Sequence, residues 1–197
     1  MADADDARIS DETLIGRTAA GDDAAFDRLV RRHDAAVYRF ARAAAPAEPA
    51  PLADNALEEI LRDTFLAARR TAARYRDEPS ARTWLLALAR RAIDRRHPQA
   101  SQAARPEADA TPLRELARSA RQGWLEENGA ADGGRLTAAL EALPPEDREI
   151  LTLCDREYFT VDEAARVTGL SETATRTRLH RARLRLLARL KEDSLGG

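Results

Sequence analysis

Apolar side chains recur at three- and four-residue intervals along most of the sequence, which is the spacing that gives a helix one buried face. Long runs of Ala, Arg, Leu and Glu with few internal Gly or Pro strengthen this helical preference. One such buried stripe consists of Phe26, Leu29, Val30, Val37 and Phe40. The pattern predicts an all-α protein with two small helical domains joined by a flexible linker.

Four helices are predicted in the first domain, residues 1–97. The segment 45–55 separates the second helix from the third, because its three prolines within six residues cannot continue a helix. The third helix should bury Leu57, Ile60, Leu61, Phe65 and Ala68. The other helices are expected from Ser10 to Gly21, from Asp22 or Asp23 to the proline-rich segment, and from about Ala81 to His97.

A linker is predicted over residues 98–134, where Pro, Ala and polar residues leave few large apolar groups to bury. Within it, Leu113–Glu127 is a candidate short helix anchored by Trp124. The second domain, 135–197, should open with a short helix over Leu136–Leu143, followed by a helix that starts at Pro145.

The strongest motif is a helix-turn-helix pattern in residues 159–187. Ala165 supplies the small residue needed where the two helices cross, and Gly169 suits a turn that requires a positive φ. Thr160 with Glu163 three residues later is a capping-box pattern. A turn is expected just before the motif, in the sequence DREYF.

The second helix of the motif should begin after Ser171, end near Leu190 and face DNA with its polar side. Its buried side is predicted to contain Thr175, Leu179, Ala182 and Leu186. Its outward residues can meet base edges; they are Glu172, Thr173, Arg176, Thr177 and His180. Arginines able to neutralise phosphates are Arg178, Arg181, Arg183 and Arg185. The alternative is an amphipathic helix with a solvated basic face, which the charge run alone would favour and the complete motif does not.

Residues 82–96 form a second basic helix with a packing stripe that includes Trp84, Leu88 and Ala92. An aromatic residue in such a helix can stack on an unpaired base or pack in the core, and periodicity alone favours the core for Trp84. The arginines of this helix would be merely solvated in most proteins. A second DNA-reading helix in the same chain favours nucleic-acid binding.

The net charge of −2 conceals strong segregation. Residues 171–191 carry seven basic residues against the single acid Glu172, so a nucleic-acid partner is compatible with the acidic average. No apolar run approaches 18 residues and no signal segment opens the chain, which predicts a soluble, cytoplasmic protein without membrane insertion.

Catalytic and metal-binding chemistry find no support in the residue pattern. Cys154 is the only cysteine, so a disulfide or thiolate zinc cluster within the chain is excluded, and a core position is favoured over a redox switch. His33, His97 and His180 are too dispersed to suggest a metal site. We therefore expect a binding protein with no cofactor, and not an enzyme.

Several segments, in order, resemble the extracytoplasmic-function group (group four) of bacterial sigma factors, the subunits that direct RNA polymerase to promoters and initiate transcription. Residues 25–42, 59–70 and 82–96 resemble successive parts of sigma region two. Residues 136–153, followed by the helix-turn-helix, resemble sigma region four. The absence of a domain between the two regions is typical of this group.

The resemblance implies RNA polymerase core and promoter DNA as partners, with an anti-sigma factor as a further candidate. Core-binding positions matching the family pattern are Glu59, Arg62, Asp63 and Phe65. Implied contacts to the minus-ten element are Arg76, Arg82, Trp84, Arg90, Arg91, Arg95 and Arg96. Implied contacts to the minus-thirty-five element are Ser171, Glu172, Thr173, Arg176, Thr177, His180 and Arg181.

Three positions depart from the family pattern. Arg62 replaces a glutamine, Arg69 replaces an aromatic residue, and Thr175 occupies a normally apolar position, where it should loosen packing slightly. They support one alternative function, a sigma-like protein that holds polymerase or an anti-sigma factor without opening promoters. A second alternative is a free-standing helix-turn-helix regulator, which would leave residues 25–97 without a role.

Overall fold

A computed structural model describes the protein over residues 9–46, 52–76, 80–98 and 133–195. All regular elements within these ranges are helical, and the chain divides into two compact units with the main boundary after residue 102. The predicted all-α class with two small domains is confirmed. The candidate helix 113–127 and most of the predicted linker lie outside the described residues, so the predicted domain limits stay predictions.

Within residues 9–46, 52–76 and 80–98, the first unit shows four α-helices and one short 3₁₀ turn. Ser10, Asp22 and Ser80 each accept a hydrogen bond from the backbone N–H three residues later, which fixes three of the helix starts. The elements are α1 (Asp11–Ala19), α2 (Asp23–Ala44), α3 (Leu52–Thr71), the 3₁₀ turn (Ala72–Arg74) and α4 (Ala81–Arg96). Helix α1 packs on α2, and α2, α3 and α4 pack against one another.

The core of the first unit contains most residues of the predicted apolar stripes, although Phe26, Val30 and Leu61 are only half-buried. Each large aliphatic or aromatic side chain removed from water contributes about 1.5–3 kcal/mol, so these helix contacts dominate the stability of the unit. The largest fully buried side chains here include Leu14, Ile15, Leu29, Phe40, Ile60, Leu85 and Leu86.

Arg69, which departs from the family pattern, links α3 to α2. Its guanidinium lies 5.5 Å from the centre of the Phe26 ring, and Nη2 lies 2.5 Å from a carboxylate oxygen of Asp23. A guanidinium over an aromatic face gains electrostatic attraction while its stem covers apolar surface. Arginine thus packs at a position where the family has an aromatic residue.

In the second unit, residues 133–195 form four α-helices and a π-helical segment. Pro145 occupies the first turn of its second helix, as predicted. The longest helix packs on the first two. The elements are α5 (Gly133–Glu141), α6 (Pro145–Leu151), the π-helical segment (Thr152–Arg156), α7 (Val161–Thr168) and α8 (Glu172–Leu195).

Three predicted limits in this unit were wrong. The first helix spans Gly133–Glu141 and not Leu136–Leu143. Helix α8 continues to Leu195 and does not end near Leu190, because residues 188–193 contain good helix formers and no Gly or Pro. The turn predicted in DREYF is shorter than expected, since Asp155 and Arg156 belong to the π-helical segment.

Asp11 fastens α1 to α2 through two side chains. One carboxylate oxygen accepts a hydrogen bond of 2.6 Å from Nη1 of Arg32, and the other lies 2.8 Å from Nε2 of His33. The pKa of Asp11 is lowered from its ordinary value, chiefly by the hydrogen bond with His33. The charged carboxylate is therefore the form that the fold stabilises.

We expect Asp11→Asn to reduce the free energy of unfolding by about 1–2 kcal/mol at neutral pH, because it weakens two hydrogen bonds made by a charged group. A carboxyl group with a lowered folded-state pKa stabilises the fold above its unfolded-state pKa, and the effect is lost as the pH falls through the folded-state value. Urea unfolding followed by circular dichroism should thus show a difference from wild type that shrinks in acid. Asp27→Asn, at an exposed position of α2, is the control; equal stability of Asp11→Asn and wild type at neutral pH would contradict the assignment.

Candidate functional site

The helix-turn-helix forms as predicted in the second unit. The backbone N–H of Glu163 donates to Oγ1 of Thr160 (3.2 Å), and the N–H of Thr160 donates to the Glu163 carboxylate (2.9 Å). Gly169 has φ +71°, in the left-handed region that favours glycine. The N–H of Leu170 then donates to the carbonyl of Ala165 (3.2 Å), closing the turn between α7 and α8.

The first two turns of α8 present a polar surface, termed here the reading face and comprising Ser171, Glu172, Thr173, Arg176 and Thr177. All are exposed except Thr177, which is half-buried. The hydroxyl oxygen of Ser171 also accepts a hydrogen bond from the N–H of Ala174 (3.2 Å), which caps the helix. Arg181, farther along the helix, is half-buried. Hydroxyl, carboxylate and guanidinium groups on a helix end are suited to base edges in a major groove.

His180 does not belong to this surface, and its predicted outward position was wrong. The residue is 8% exposed, and neither ring nitrogen has a hydrogen-bond partner among the described residues. Burial lowers the pKa of the imidazole, so the neutral ring is favoured. The buried side of α8 is wider than its predicted stripe, because Arg178 and His180 flank Leu179 and are also buried.

Thr175 fits the buried side of α8 without an unpaired polar group. Its side chain is fully buried, and its hydroxyl donates to the carbonyl of Ser171 (2.9 Å). The hydrogen bond offsets the desolvation of the hydroxyl. Thr175 is thus accommodated where an apolar residue was expected.

Two arginines predicted to contact phosphates instead hold α8 in place. Arg183 makes a two-point ion pair with Asp155, using Nε at 3.0 Å and Nη2. Arg185 donates from Nη1 to Asp147 at 2.6 Å, and the Asp147 side chain is only 3% exposed. Both cations form ion pairs with acids of α6 and the π-helical segment. The charge pattern of α8 alone does not reveal these tertiary contacts.

The turn before α7 carries an exposed aromatic residue in an uncommon conformation. Tyr158 has φ +58° and is 86% exposed. The N–H groups of its neighbours donate to the π-helical segment, from Glu157 to Thr152 and from Phe159 to Leu153, both at 2.9 Å. These bonds hold a backbone conformation that non-glycine residues seldom adopt.

Cys154 is half-buried, beside the Asp155 to which Arg183 is paired. Burial, with a smaller contribution from Asp155, raises the pKa of its thiol to about 11. The thiol therefore stays protonated near neutral pH, whereas redox chemistry requires the thiolate.

In the first unit, the predicted core-binding residues of α3 separate into exposed and buried groups. Glu59 and Asp63 are half-buried and Arg62 is exposed. Phe65 is buried, so its predicted contact with a partner is not available on this surface. Leu66, which the sequence analysis missed, is 44% exposed. Helical spacing could have found it, because Leu66 follows Glu59 by seven residues and Asp63 by three, whereas Phe65 belongs to the inward stripe.

Two of the arginines predicted to meet the minus-ten element are occupied by acids of their own unit. Nη2 of Arg90 lies 2.9 Å from Asp94. Arg96 binds Asp63 through Nη2 at 2.9 Å and binds Glu59 through Nη1. The predicted promoter residue Arg96 thus joins two of the predicted polymerase-binding acids.

The remaining minus-ten residues also differ in exposure. Arg76, Arg91 and Arg95 are exposed and Arg82 is half-buried. Trp84 is buried, with its ring 5.1 Å from that of Tyr75 in an edge-on arrangement. This conformation leaves no ring face open for a base, which corrects the prediction that Trp84 contacts DNA.

Comparison with known proteins assigns both units. Residues 29–101 match the family Sigma-70 region 2, and residues 133–186 match Sigma-70, region 4. The ECF RNA polymerase sigma factor SigM of Mycobacterium tuberculosis is 32% identical, covering 90% of this chain and 83% of SigM. SigC of the same species is 31% identical over 94% of each chain.

A solved structure supports the same assignment. CnrH in complex with the cytosolic domain of CnrY matches with a TM-score of 0.61 and 26% identity, covering 93% of this chain and 98% of the CnrH chain. CnrH is an RNA polymerase sigma factor of Cupriavidus metallidurans. In the part of our chain that the structure describes, no helix is long and apolar enough to cross a membrane, and no three His, Cys, Asp or Glu side chains group as metal ligands.

We expect Arg185→Ala to lower the free energy of unfolding by about 1–3 kcal/mol, because it leaves the buried Asp147 carboxylate without its cation. The figure lies below that of a fully buried pair because the Arg185 side chain is 55% exposed. Arg176→Ala removes the same charge from an exposed site on the same helix and should change stability by less than about 0.5 kcal/mol. Chemical denaturation of both variants checks the difference, and equal effects would contradict a structural role for Arg185.

Proposed function

Because the chain belongs to the extracytoplasmic-function sigma factors, it is a promoter-specificity subunit of RNA polymerase and not an enzyme, and we propose how its surfaces divide that task. The reading face of α8 contacts the minus-thirty-five element. The exposed side of α3 binds core polymerase, and arginines in and near α4 hold the minus-ten element.

The reading face is the observation that supports contact between α8 and the upstream, minus-thirty-five element. Its residues project from a helix whose start is fixed by Ser171 and whose body is tied down by Arg183 and Arg185. A rigid helix costs little conformational entropy on docking, so its contacts contribute to affinity. Arg176 is the exposed cation of this face and is suited to a bidentate contact with guanine.

The polymerase-binding surface comprises Glu59, Arg62, Asp63 and Leu66, and we call it the α3 surface. Protein interfaces commonly place an apolar anchor among polar groups. Leu66 supplies the anchor, and the acids supply charge complementarity to a basic partner. Phe65 is buried on the opposite side of α3, where it packs in the core and helps to hold the helix in position.

For the minus-ten element, the contacts we propose are Arg76, Arg82, Arg91 and Arg95. Exposed guanidinium groups can bind phosphates and stack on unpaired bases. Trp84, a buried residue of α4, packs its ring against that of Tyr75.

We also assign an anti-sigma partner and a cytoplasmic location. The CnrH structure is that of a sigma factor held by the cytosolic domain of CnrY, which supports a similar partner for this chain. RNA polymerase acts on chromosomal DNA, and a subunit of it works in the same compartment.

For the α3 surface, we expect Leu66→Asp to weaken binding to core polymerase by about tenfold or more, since an anchor at an interface centre is typically worth 2 kcal/mol or more. Pull-down and fluorescence titration with purified core polymerase measure the loss. Ala24→Asp is the matched control, because it adds the same charge at an exposed site in the first turn of α2. Undiminished binding by a Leu66→Asp variant with normal circular dichroism would refute this assignment.

For the reading face, we expect Arg176→Ala to cost about 1–3 kcal/mol in promoter binding by the reconstituted holoenzyme and to relax preference at one base pair of the upstream element. Arg189→Ala, at an exposed site farther along the same helix, is the control and should leave base preference unchanged. Competition between promoter variants measures preference, and permanganate footprinting reports promoter opening. Unchanged base preference in Arg176→Ala would show that the reading face is misplaced.

A further inference from the structure

Arg96, the last residue of α4, connects that helix to the exposed acids of α3. Its Nη2 donates to Oδ2 of Asp63 at 2.9 Å, and its Nη1 donates to Oε2 of Glu59. The three side chains are between 30% and 45% exposed, so the cluster lies at the surface. Hydrogen bonds with both acids raise the pKa of the guanidinium, with Asp63 making the largest contribution.

Arg96 offsets the repulsion between the two carboxylates of α3. Glu59 and Asp63 lie one helical turn apart, and like charges at that spacing repel each other. Left alone, the two side chains would separate and sample many rotamers. A guanidinium fork that bonds one oxygen of each acid restricts both side chains and leaves each carboxylate one oxygen for another partner.

The same hydrogen bonds make Arg96 less available for a contact with DNA phosphates. Both of its terminal nitrogens donate to carboxylates of α3, so a phosphate would have to compete with two acids for this guanidinium. Arg95, the preceding residue, is exposed and has the same charge. A DNA strand would therefore meet an exposed guanidinium at Arg95 and one already bonded to two acids at Arg96.

We propose that Arg96 is a positioning residue of the polymerase-binding surface, where it holds Glu59 and Asp63 in the orientation that core polymerase recognises, and that it is not a promoter contact. The inference rests on the proposed function of the α3 surface. It moves Arg96 from the minus-ten set, where sequence resemblance places it, to the polymerase set.

The test compares Arg96→Gln with Arg95→Gln, two substitutions that remove the same charge from adjacent residues. Arg96→Gln should weaken binding to core polymerase by about fivefold, a size typical of coupling within one hydrogen-bonded network. Binding of a labelled non-template-strand oligonucleotide by holoenzyme assembled at saturating sigma should stay unchanged. Arg95→Gln should show the reverse, with normal core binding and weaker binding of the oligonucleotide.

Two further variants test whether Arg96 acts through the acids. Arg96→Lys keeps the charge but lacks the planar fork, so its affinity for core should lie between those of wild type and Arg96→Gln. In a Glu59→Gln/Asp63→Asn background, Arg96→Gln should have no additional effect on core binding. Circular dichroism melting of each variant establishes that the unit remains folded.

Three results would overturn the inference: unchanged or tighter core binding by Arg96→Gln, a full effect that persists without the two acids, or a loss of oligonucleotide binding equal to that of Arg95→Gln. The proposed function fails in a different way. If Glu59→Gln/Asp63→Asn itself leaves core binding unchanged, the acids do not contact polymerase. If that double variant weakens binding while Arg96→Gln does not, the surface stands and only the positioning role is lost.

Discussion

Arginine–carboxylate pairs between helices decide which cations of this protein remain available to a partner. In the second unit, Arg183 and Arg185 hold α8 against acids of α6 and the π-helical segment. In the first unit, Arg96 ties α4 to α3 by the same chemistry. With 32 Lys and Arg residues and few aromatics, the chain uses some guanidinium groups to fix its helices, and we propose that others meet nucleic acid. The pairing separates these two uses, because a cation directed at a buried or neighbouring acid is withdrawn from phosphates.

Local features of the fold were predictable because they depend on neighbours in sequence. The capping box at Thr160, the positive φ of Gly169 and the proline start of α6 each follow from interactions within a few residues. Helical periodicity likewise located most of the core. The partners of the arginines were not predictable in this way, since Arg183 and Arg185 reach acids 28 and 38 positions away. Without tertiary distances, a paired arginine and an exposed one look the same.

Part of the candidate site was assigned to the wrong side of a helix for a related reason. Family resemblance assigned Phe65 and Trp84 to partner contacts, whereas helical periodicity favoured the core for both, and both are buried. Leu66 is an ordinary aliphatic residue beside Phe65 and is the one that reaches the surface. His180 shows the opposite difficulty, since a polar residue on a DNA-reading helix is buried where charge patterning predicts exposure. Adjacent residues on a helix point about 100° apart, so such errors of one position reverse the role of a side chain.

The reading face is separate from the ion pairs that hold α8, and this separation affects how the promoter preference of a sigma factor can evolve. Glu172, Thr173 and Arg176 have exposed side chains and take no part in the ion pairs to Asp147 and Asp155. If this surface reads the upstream element as we propose, substitutions among these residues change what the helix recognises while the attachment of the helix is preserved. After gene duplication, one copy can acquire a new set of target genes through a few surface changes, without first gaining stability elsewhere. In that case promoter preference can change through these exposed residues while the arginines that hold α8 stay the same.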